Sequence, residues 1–237
     1  YLSKSLNPTL HFTLSDFGNI PFIFSKNDTI NQIVENSIIL SKFEWNSRES
    51  TWDFQQNELI RISSNDASAD FSTSLEESFD LYQQYWRNKF FQLHKNEEEL
   101  NRQFIEIYGL QGELTPHVPL EDITILQDEL DRKTLAKLNK KLARHPETQL
   151  VSNYHELELP FLASELMEQF ISYAVGCMFG RYSLDEKGLI LANQGETVED
   201  YLVKIGTSTT LSDLSFVPDE DNIIPILDDE WFEEIGR

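Results

Sequence analysis

The residues from Ser74 to Gly109 constrain the fold more than any other part of the sequence. Ser74 followed by Glu77 has the spacing of a capping box, in which each side chain satisfies a free backbone N–H at a helix start. Gly109 is a typical residue to end a helix in the left-handed conformation. The pattern predicts one continuous amphipathic helix of ~50 Å, at 1.5 Å per residue. Its apolar residues recur every three or four positions, with one interruption, at Leu75, Phe79, Tyr82, Trp86, Phe90, Leu93, Leu100, Phe104 and Ile107.

Three further helices are expected around the long one. Asn27 or Asp28 can cap the first, because both side chains accept hydrogen bonds from the free N–H groups at a helix start. A second helix is expected from about Asp128 to Arg144, and a third from about Ser164 to Phe179. Together with the long helix, they predict a helical bundle.

The first 62 residues predict β-rich or irregular structure followed by a short helix. Leu10, Phe12 and Leu14 alternate with polar residues, as in a half-buried strand. We therefore expect a mainly α fold with a small β portion (α+β), whose short strands lie near the N-terminus. The final region is expected to be acidic, irregular and truncated. The expected regions are, in order, 1–62, 63–182 and 183–237.

Charge and composition exclude several classes of protein. The chain has 237 residues, with 19 Lys and Arg against 41 Asp and Glu, and a formal net charge of −22. Such acidity argues against a surface that grips nucleic-acid phosphates across its whole face. With 40% hydrophobic and 25% charged residues, the chain is not a disordered acidic tail. Its apolar runs fall well short of the ~20 residues that cross a bilayer, so no membrane contact is expected.

Cysteine content and the two chain ends indicate the compartment. Cys177 is the one cysteine, which excludes an internal disulfide framework and fits a reducing cytosol. No basic segment followed by an apolar one opens the chain, so a signal peptide is not expected. The chain begins at Tyr1 and not at Met, and both ends look cut. We therefore expect a cytoplasmic protein.

Positive charge is concentrated in the second of the shorter predicted helices. Five basic residues there are three or four positions apart and share one face: Lys133, Lys137, Lys140, Lys141 and Arg144. In so acidic a chain they form a local positive stripe that could contact phosphates. The alternative is a solubilising helix face that pairs with acids elsewhere. Trp45 and Trp52 are similarly open to two interpretations, stacking on bases or anchoring a core or an interface.

The sequence carries no catalytic motif and no metal-binding motif. Its five histidines are scattered without the i, i+4 pairing of a metal site, and a single cysteine cannot build a cysteine-rich one. A methyltransferase that acts on a base needs a glycine loop for its cofactor and a polar-Pro-Pro-aromatic motif for the flipped base. Residues 7–10, Asn-Pro-Thr-Leu, lack the second proline and the aromatic residue. The residues alone therefore predict an acidic, helix-rich module without catalytic centre, cofactor or metal.

Four groups of residues, spread over nearly the whole chain, carry a resemblance to a known family. They are Leu6–Phe12 with Gly18–Pro21; Glu44–Glu49 with Thr51–Phe54; Asn96–Arg102 with Phe104–Leu110 and Glu113–Pro116; and Phe170–Asp185 with Ile223–Leu227. In this order they resemble the C-terminal part of the large adenine-specific DNA methyltransferases of BREX phage-defence systems, the PglX type. These are relatives of the single-chain restriction-modification enzymes.

The resemblance implies a parent enzyme that transfers a methyl group from S-adenosylmethionine to the exocyclic nitrogen of adenine, which marks host DNA. Its cofactor loop and adenine motif would precede Tyr1, so no catalytic residue carries over to this chain and no cofactor is expected within it. Residues 1–62 would close a recognition-type region. The Tyr108-Gly109-Leu110 ending of the long helix is similar to the spacer helices of single-chain restriction-modification enzymes. The resemblance thus implies a non-catalytic scaffold and spacer.

Two kinds of partner follow from this interpretation. Duplex DNA would be bound by the parent enzyme, and any contact from this chain would be local, through the lysine-rich stripe or Arg48. The alternative is a module that docks other phage-defence proteins. Its expected docking residues are two glycines that permit close approach and two aromatic residues of the acidic tail: Gly176, Gly180, Trp231 and Phe232.

Overall fold

The computed structural model describes residues 18, 21–23, 27–65, 74–143, 157–206 and 210–220. This part of the chain is mainly helical. Short 3₁₀ turns lie at Leu120–Asp122 and Leu211–Asp213. The α-helices in the described ranges are α1 (Asp28–Asn46), α2 (Glu58–Asn65), α3 (Leu75–Tyr108), α4 (Arg132–Ala143), α5 (Ala163–Met178) and α6 (Val198–Ile205).

The long helix α3 confirms the prediction at both of its ends. The Ser74 hydroxyl accepts a hydrogen bond from the Glu77 amide at 3.2 Å, and the Glu77 carboxylate accepts one from the Ser74 amide at 2.8 Å. Gly109 ends the helix in the left-handed conformation, with φ of 67°. The 34 residues between these caps form one continuous helix, because both end signals are local and the middle of the apolar stripe, from Tyr82 to Leu93, is buried.

Capping side chains determine where the shorter helices α1 and α4 begin. Asn27 caps α1, since its Oδ1 accepts from the amides of Thr29 and Ile30 at 3.0 and 3.4 Å. α4 begins at Arg132, later than expected, because the Asp131 carboxylate accepts from the Lys133 amide at 3.0 Å and so caps the helix. α5 lies close to its predicted bounds.

Two helices lie where the sequence predicted none by name, and the expected division into three regions stays a prediction. α2 spans residue 62 and continues to Asn65, and the hydroxyls of Ser63 and Ser64 donate to the carbonyls of Leu59 and Ile60 at 2.8 Å. α6 lies within the segment expected to be irregular, where Thr197 and Asp200 form a capping box.

The predicted β portion receives no support from the described residues. The strand expected at Leu10–Leu14 lies outside them. Within them, extended pairing is limited to an isolated antiparallel bridge between Leu130 and Phe161, and no sheet forms. The described part is therefore α-helical and not α+β.

The main core lies around the middle of α3. Trp86 and Phe90 are fully buried there against α1, α2 and the segment of 118–130. A second, smaller core joins Phe54 to Tyr173, Cys177 and Tyr182, where α5 meets the segment that follows it. In the described ranges, no helix is long and apolar enough to span a membrane.

Candidate nucleic-acid interface

The exposed face of α4 carries the positive stripe that the sequence predicts. Its twelve residues include one Arg, four Lys and no acid. Leu135 is fully buried in the main core and fixes which face looks outward. Lys133, Lys137, Lys140 and Lys141 are all exposed on the outer side, and we call these four residues the lysine stripe. Arg144 lies outside the described residues.

The ammonium groups of the lysine stripe are exposed. The pKa of Asp131 is lowered, first by its hydrogen bond with Thr134 and to a smaller degree by the charge of Lys137. None of the four ammonium groups forms an ion pair with a carboxylate within the described part of the chain, although the chain is acidic overall. Lys140 and Lys141 lie in the last turn of α4, where the negative end of the helix dipole favours cations. Because such charges are solvated and unpaired, they can reach an external polyanion without first breaking an ion pair.

Arg132, next to the lysine stripe in sequence, binds the chain's own backbone. Its Nη1 donates to the carbonyl of Ile123 at 2.9 Å and to that of Glu121 at 3.3 Å, and its Nη2 donates to that of Ile125 at 3.1 Å. Burial lowers the pKa of this guanidinium. Arg132 therefore holds the loop before α4 and adds no free cation to the surface.

Arg48, which the sequence offered as a DNA contact, lies among three carboxylates. Its guanidinium pairs with Glu44 one turn earlier on α1, with Asp128 at 3.0 Å and with Glu129 at 3.0 Å. Burial disfavours the charged guanidinium, but Glu129 and Glu44 outweigh this and raise its pKa. We call Glu44, Arg48, Asp128 and Glu129 the clasp.

The two glutamates of the clasp extend it to other elements. Glu44 Oε1 accepts from the Leu126 amide at 3.0 Å, and Glu129 Oε1 accepts from the Gln169 side chain of α5 at 2.8 Å. Glu44 is 6% exposed and Glu129 is 3% exposed, so both carboxylates depend on these partners. The clasp thus joins α1, the loop before α4, and α5.

Trp45 and Trp52 lie outside the core. Trp45 is 63% exposed and Trp52 is fully exposed. Trp45 shares one face of α1 with Val34 and Ile38, which are also exposed. Burial in the core, one of the uses that the sequence allowed, is therefore wrong for both tryptophans.

The two glycines of the expected docking surface make room for neighbours from this chain. A Cβ on Gly176 would lie 2.5 Å from the Tyr182 ring. Gly180 has φ of 68°, and a Cβ there would lie 2.9 Å from Leu191. The close approach that the spacing predicted is present, but it is intramolecular. Trp231 and Phe232 lie outside the described residues.

Two curated proteins are similar to nearly the whole chain. Adenine-specific methyltransferase PglX of Lacticaseibacillus casei (strain Zhang) is 30% identical over 227 residues, which are 96% of this chain and 15% of that protein. Adenine-specific methyltransferase BrxX of Escherichia coli O9:H4 (strain HS) is 32% identical over 235 residues, which are 99% of this chain and 17% of that protein. This chain is related to one segment of the PglX-type adenine-specific methyltransferases. No model of a known protein family matches it.

The PglX-type resemblance is thereby confirmed, over a stretch that spans only a small part of each relative. Sequence reasoning found the lysine stripe but missed the clasp. Glu44 and Arg48 have the i, i+4 spacing of a helix pair, which could have indicated their contact. Glu129 lies 81 residues after Arg48, and no local signal links the two. In the described part of the chain, no three His, Cys, Asp or Glu side chains are grouped to hold a metal ion.

Proposed function

We propose that this chain is a non-catalytic scaffold and spacer region of an S-adenosylmethionine-dependent, adenine-specific DNA methyltransferase that marks host DNA in phage defence. The observation that carries the proposal is the similarity to PglX and BrxX over 96% and 99% of the chain. S-adenosylmethionine would be bound by the parent enzyme and not by this segment. In support, the chain lacks the glycine loop and the adenine motif that the chemistry needs.

The spacer role rests on α3. Its 34 residues are capped at both ends, and its central part is buried in the main core. Such a helix bends little, so it can hold two parts of an enzyme at a constant separation of ~50 Å. An enzyme that extrudes a target base needs this constancy, because its recognition surface must stay in register with the catalytic pocket.

DNA contact is assigned to the lysine stripe on α4. Its four ammonium groups are exposed and form no ion pair with a carboxylate within the described ranges. Lysines contact phosphate without reading sequence, so the stripe would position DNA and leave base recognition to other parts of the enzyme. Arg48 is left out of this DNA-binding set, because its guanidinium already pairs with three carboxylates.

The DNA contact is tested by the dependence of duplex binding on salt. Lys137→Gln, Lys140→Gln and Lys141→Gln together should weaken binding and reduce the slope of log K against log salt by about 0.9 for each phosphate that is no longer neutralised. A matched triple variant changes three lysines away from α4 by the same charge: Lys42→Gln, Lys95→Gln and Lys187→Gln. This control variant should keep the wild-type slope. If the α4 triple variant keeps it as well, the lysine stripe has no role in DNA binding.

The chain alone should transfer no methyl group. With labelled S-adenosylmethionine and duplex DNA, we expect incorporation at the background level of a reaction without protein. Transfer above that level would contradict the non-catalytic assignment. The parent enzyme provides the positive control.

A second candidate function is docking of other phage-defence proteins, and the exposed apolar face of α1 favours it. Val34, Ile38 and Trp45 are 36%, 60% and 63% exposed on that face. Ile38→Asp with Trp45→Ser should abolish association with a purified defence-system protein that binds the wild-type chain. Val203→Asp, a change at an exposed residue of α6, should leave it intact. Association that survives the α1 changes would exclude docking through this face.

A further inference from the structure

The clasp lies directly before the helix that carries the lysine stripe. Asp128 and Glu129 come four and three residues before Arg132, the first residue of α4. The backbone of Glu129 and Asp131 forms hydrogen bonds with the segment before α5. The Leu162 amide donates to the Glu129 carbonyl at 2.8 Å, and the Asp131 amide donates to the Pro160 carbonyl at 3.0 Å.

Arg48 is the side chain that connects this junction to α1. Its Nη1 donates to Asp128 and its Nη2 to Glu129, both at 3.0 Å, while Glu44 holds the guanidinium from one turn earlier. The planar guanidinium presents five N–H donors in a rigid fork, which suits several carboxylates at once. Lysine has a single ammonium group on a flexible stem, and it cannot reproduce this geometry.

A DNA phosphate would compete poorly for the same guanidinium. The Arg48 side chain is 19% exposed, and Glu129 and Glu44 are buried beneath it. Withdrawal of Arg48 toward a phosphate would leave both carboxylates buried without their cation, which is strongly unfavourable. The geometry therefore separates two kinds of basic residue: lysines that face solvent, and an arginine that holds the base of their helix.

We infer that Arg48 is a positioning residue: through Asp128 and Glu129 it holds the base of α4, so that the lysine stripe is presented to DNA phosphate. The inference rests on the proposed DNA contact of the stripe. A positioning role can be distinguished from a direct contact between Arg48 and DNA. In the positioning role, DNA affinity depends on the fork geometry of the Arg48 guanidinium and not on its charge alone.

Removal of Glu129 tests the inference, because net charge alone and the positioning role predict opposite changes in DNA affinity. Glu129→Leu removes one negative charge from a chain of net charge −22, so electrostatics alone predicts tighter DNA binding. The positioning role predicts weaker binding, by about threefold to tenfold, because the junction before α4 loses its anchor. Glu113→Leu, which removes an exposed acid elsewhere, is the matched control and should leave binding unchanged or slightly tighter.

Arg48→Lys provides a second test that keeps the net charge. A lysine still binds phosphate, so a direct contact predicts wild-type affinity and salt slope. The positioning role predicts a loss of about threefold to tenfold, because one ammonium group cannot bridge the carboxylates of the clasp. Circular dichroism checks that both variants are folded, and if Glu129→Leu does not fold, Arg48→Lys decides.

Amide hydrogen exchange tests, in the absence of DNA, whether the clasp stabilises the junction before α4. In Arg48→Lys, amides of residues 126–135 should exchange faster than in the wild-type chain, while those of 82–93 in α3 should not change. The inference is overturned if exchange at 126–135 is unchanged, or if Arg48→Lys keeps full affinity while Glu129→Leu binds more tightly. If the triple lysine variant of α4 keeps the wild-type salt slope, the proposed DNA contact of the lysine stripe fails, and exchange at 126–135 still decides whether the clasp holds α4.

Discussion

Trp86 donates its indole N–H to the Glu58 carboxylate at 3.1 Å, and this hydrogen bond ties α2 to the middle of α3. Glu58 is also held by Arg61, whose Nε and Nη2 donate to its two oxygens at 2.5 and 2.7 Å. The Arg61 guanidinium in turn lies over the rings of Phe43 and Tyr85, at 5.0 and 4.8 Å. A single carboxylate therefore organises the packing of α1, α2 and α3.

Loss of the Glu58 carboxylate should destabilise the chain. Glu58→Ala leaves the fully buried Trp86 indole and the Arg61 guanidinium without this acceptor. We expect the free energy of unfolding in urea to fall by about 2–4 kcal/mol, as for a buried pair that loses one partner. Glu35→Ala, at an exposed position of α1, should change it by less than about 0.5 kcal/mol. Equal effects at the two positions would contradict the role assigned to Glu58.

A methyl group at Gly176 should disrupt the second core. The Cβ of Gly176→Ala would lie 2.5 Å from the Tyr182 ring, which stacks on Tyr173 with centroids 5.1 Å apart. The ring must move, and we expect a loss of about 1–3 kcal/mol in thermal or urea unfolding. Gly112→Ala, where a Cβ has no neighbour within 4 Å, is the matched control.

A double variant tests the cause of that loss. If Tyr182 is the obstacle, Gly176→Ala should cost less in a Tyr182→Leu background than in the wild-type chain. The same cost in both backgrounds would place the strain elsewhere.

The stability of the second core should depend on alkaline pH. Burial raises the pKa of the Cys177 thiol from 9.0 to about 11. The unfolded chain therefore loses this proton at lower pH than the folded chain, so the stabilisation is complete below pH about 9 and is lost as pH rises to about 11. Burial also raises the pKa of Tyr182, from 10.0 to about 12, which adds to the loss at higher pH.

Urea unfolding between pH 8 and 11 measures this dependence. Cys177→Ala should show a shallower fall in the free energy of unfolding between pH 9 and 11 than the wild-type chain. Alkylation of Cys177 at pH 8 should be slow in the folded protein and fast in urea, because the buried thiol stays protonated. Rapid alkylation of the folded protein would contradict the raised pKa.

Adjacent cations on α4 should differ in their effect on stability. Arg132→Met removes the donor that binds the carbonyls of Glu121, Ile123 and Ile125, and we expect a loss of about 1–3 kcal/mol in urea unfolding. Lys133→Met removes an exposed ammonium group and should cost less than about 0.5 kcal/mol. Lys133→Met should also weaken DNA binding at low salt, because it removes one exposed cation of the lysine stripe.

The candidate site was only half predictable from sequence. The lysine stripe follows from residue spacing along a single helix, and spacing decides which side chains share a face. The roles of Arg48 and Arg132 do not follow in this way. Both are basic residues in the sequence, yet their partners lie on segments up to 81 residues away or on backbone carbonyls. The sequence shows each of these residues only as a basic side chain. Whether its charge faces solvent or binds a neighbouring group depends on the surrounding tertiary structure.

The sequence by itself determined the elements whose signals are local: α3 with its capping box and its terminal Gly109, the Asn27 cap of α1, and the outward face of α4. The helix ends are formed by hydrogen bonds between residues a few positions apart, so the local sequence is enough to specify them. The tertiary structure alone decided that Glu129 meets Arg48, that Glu58 meets Trp86, and that Tyr182 occupies the space above Gly176. The first two interactions join groups 81 and 28 residues apart, and the burial behind all three exists only once the helices have packed.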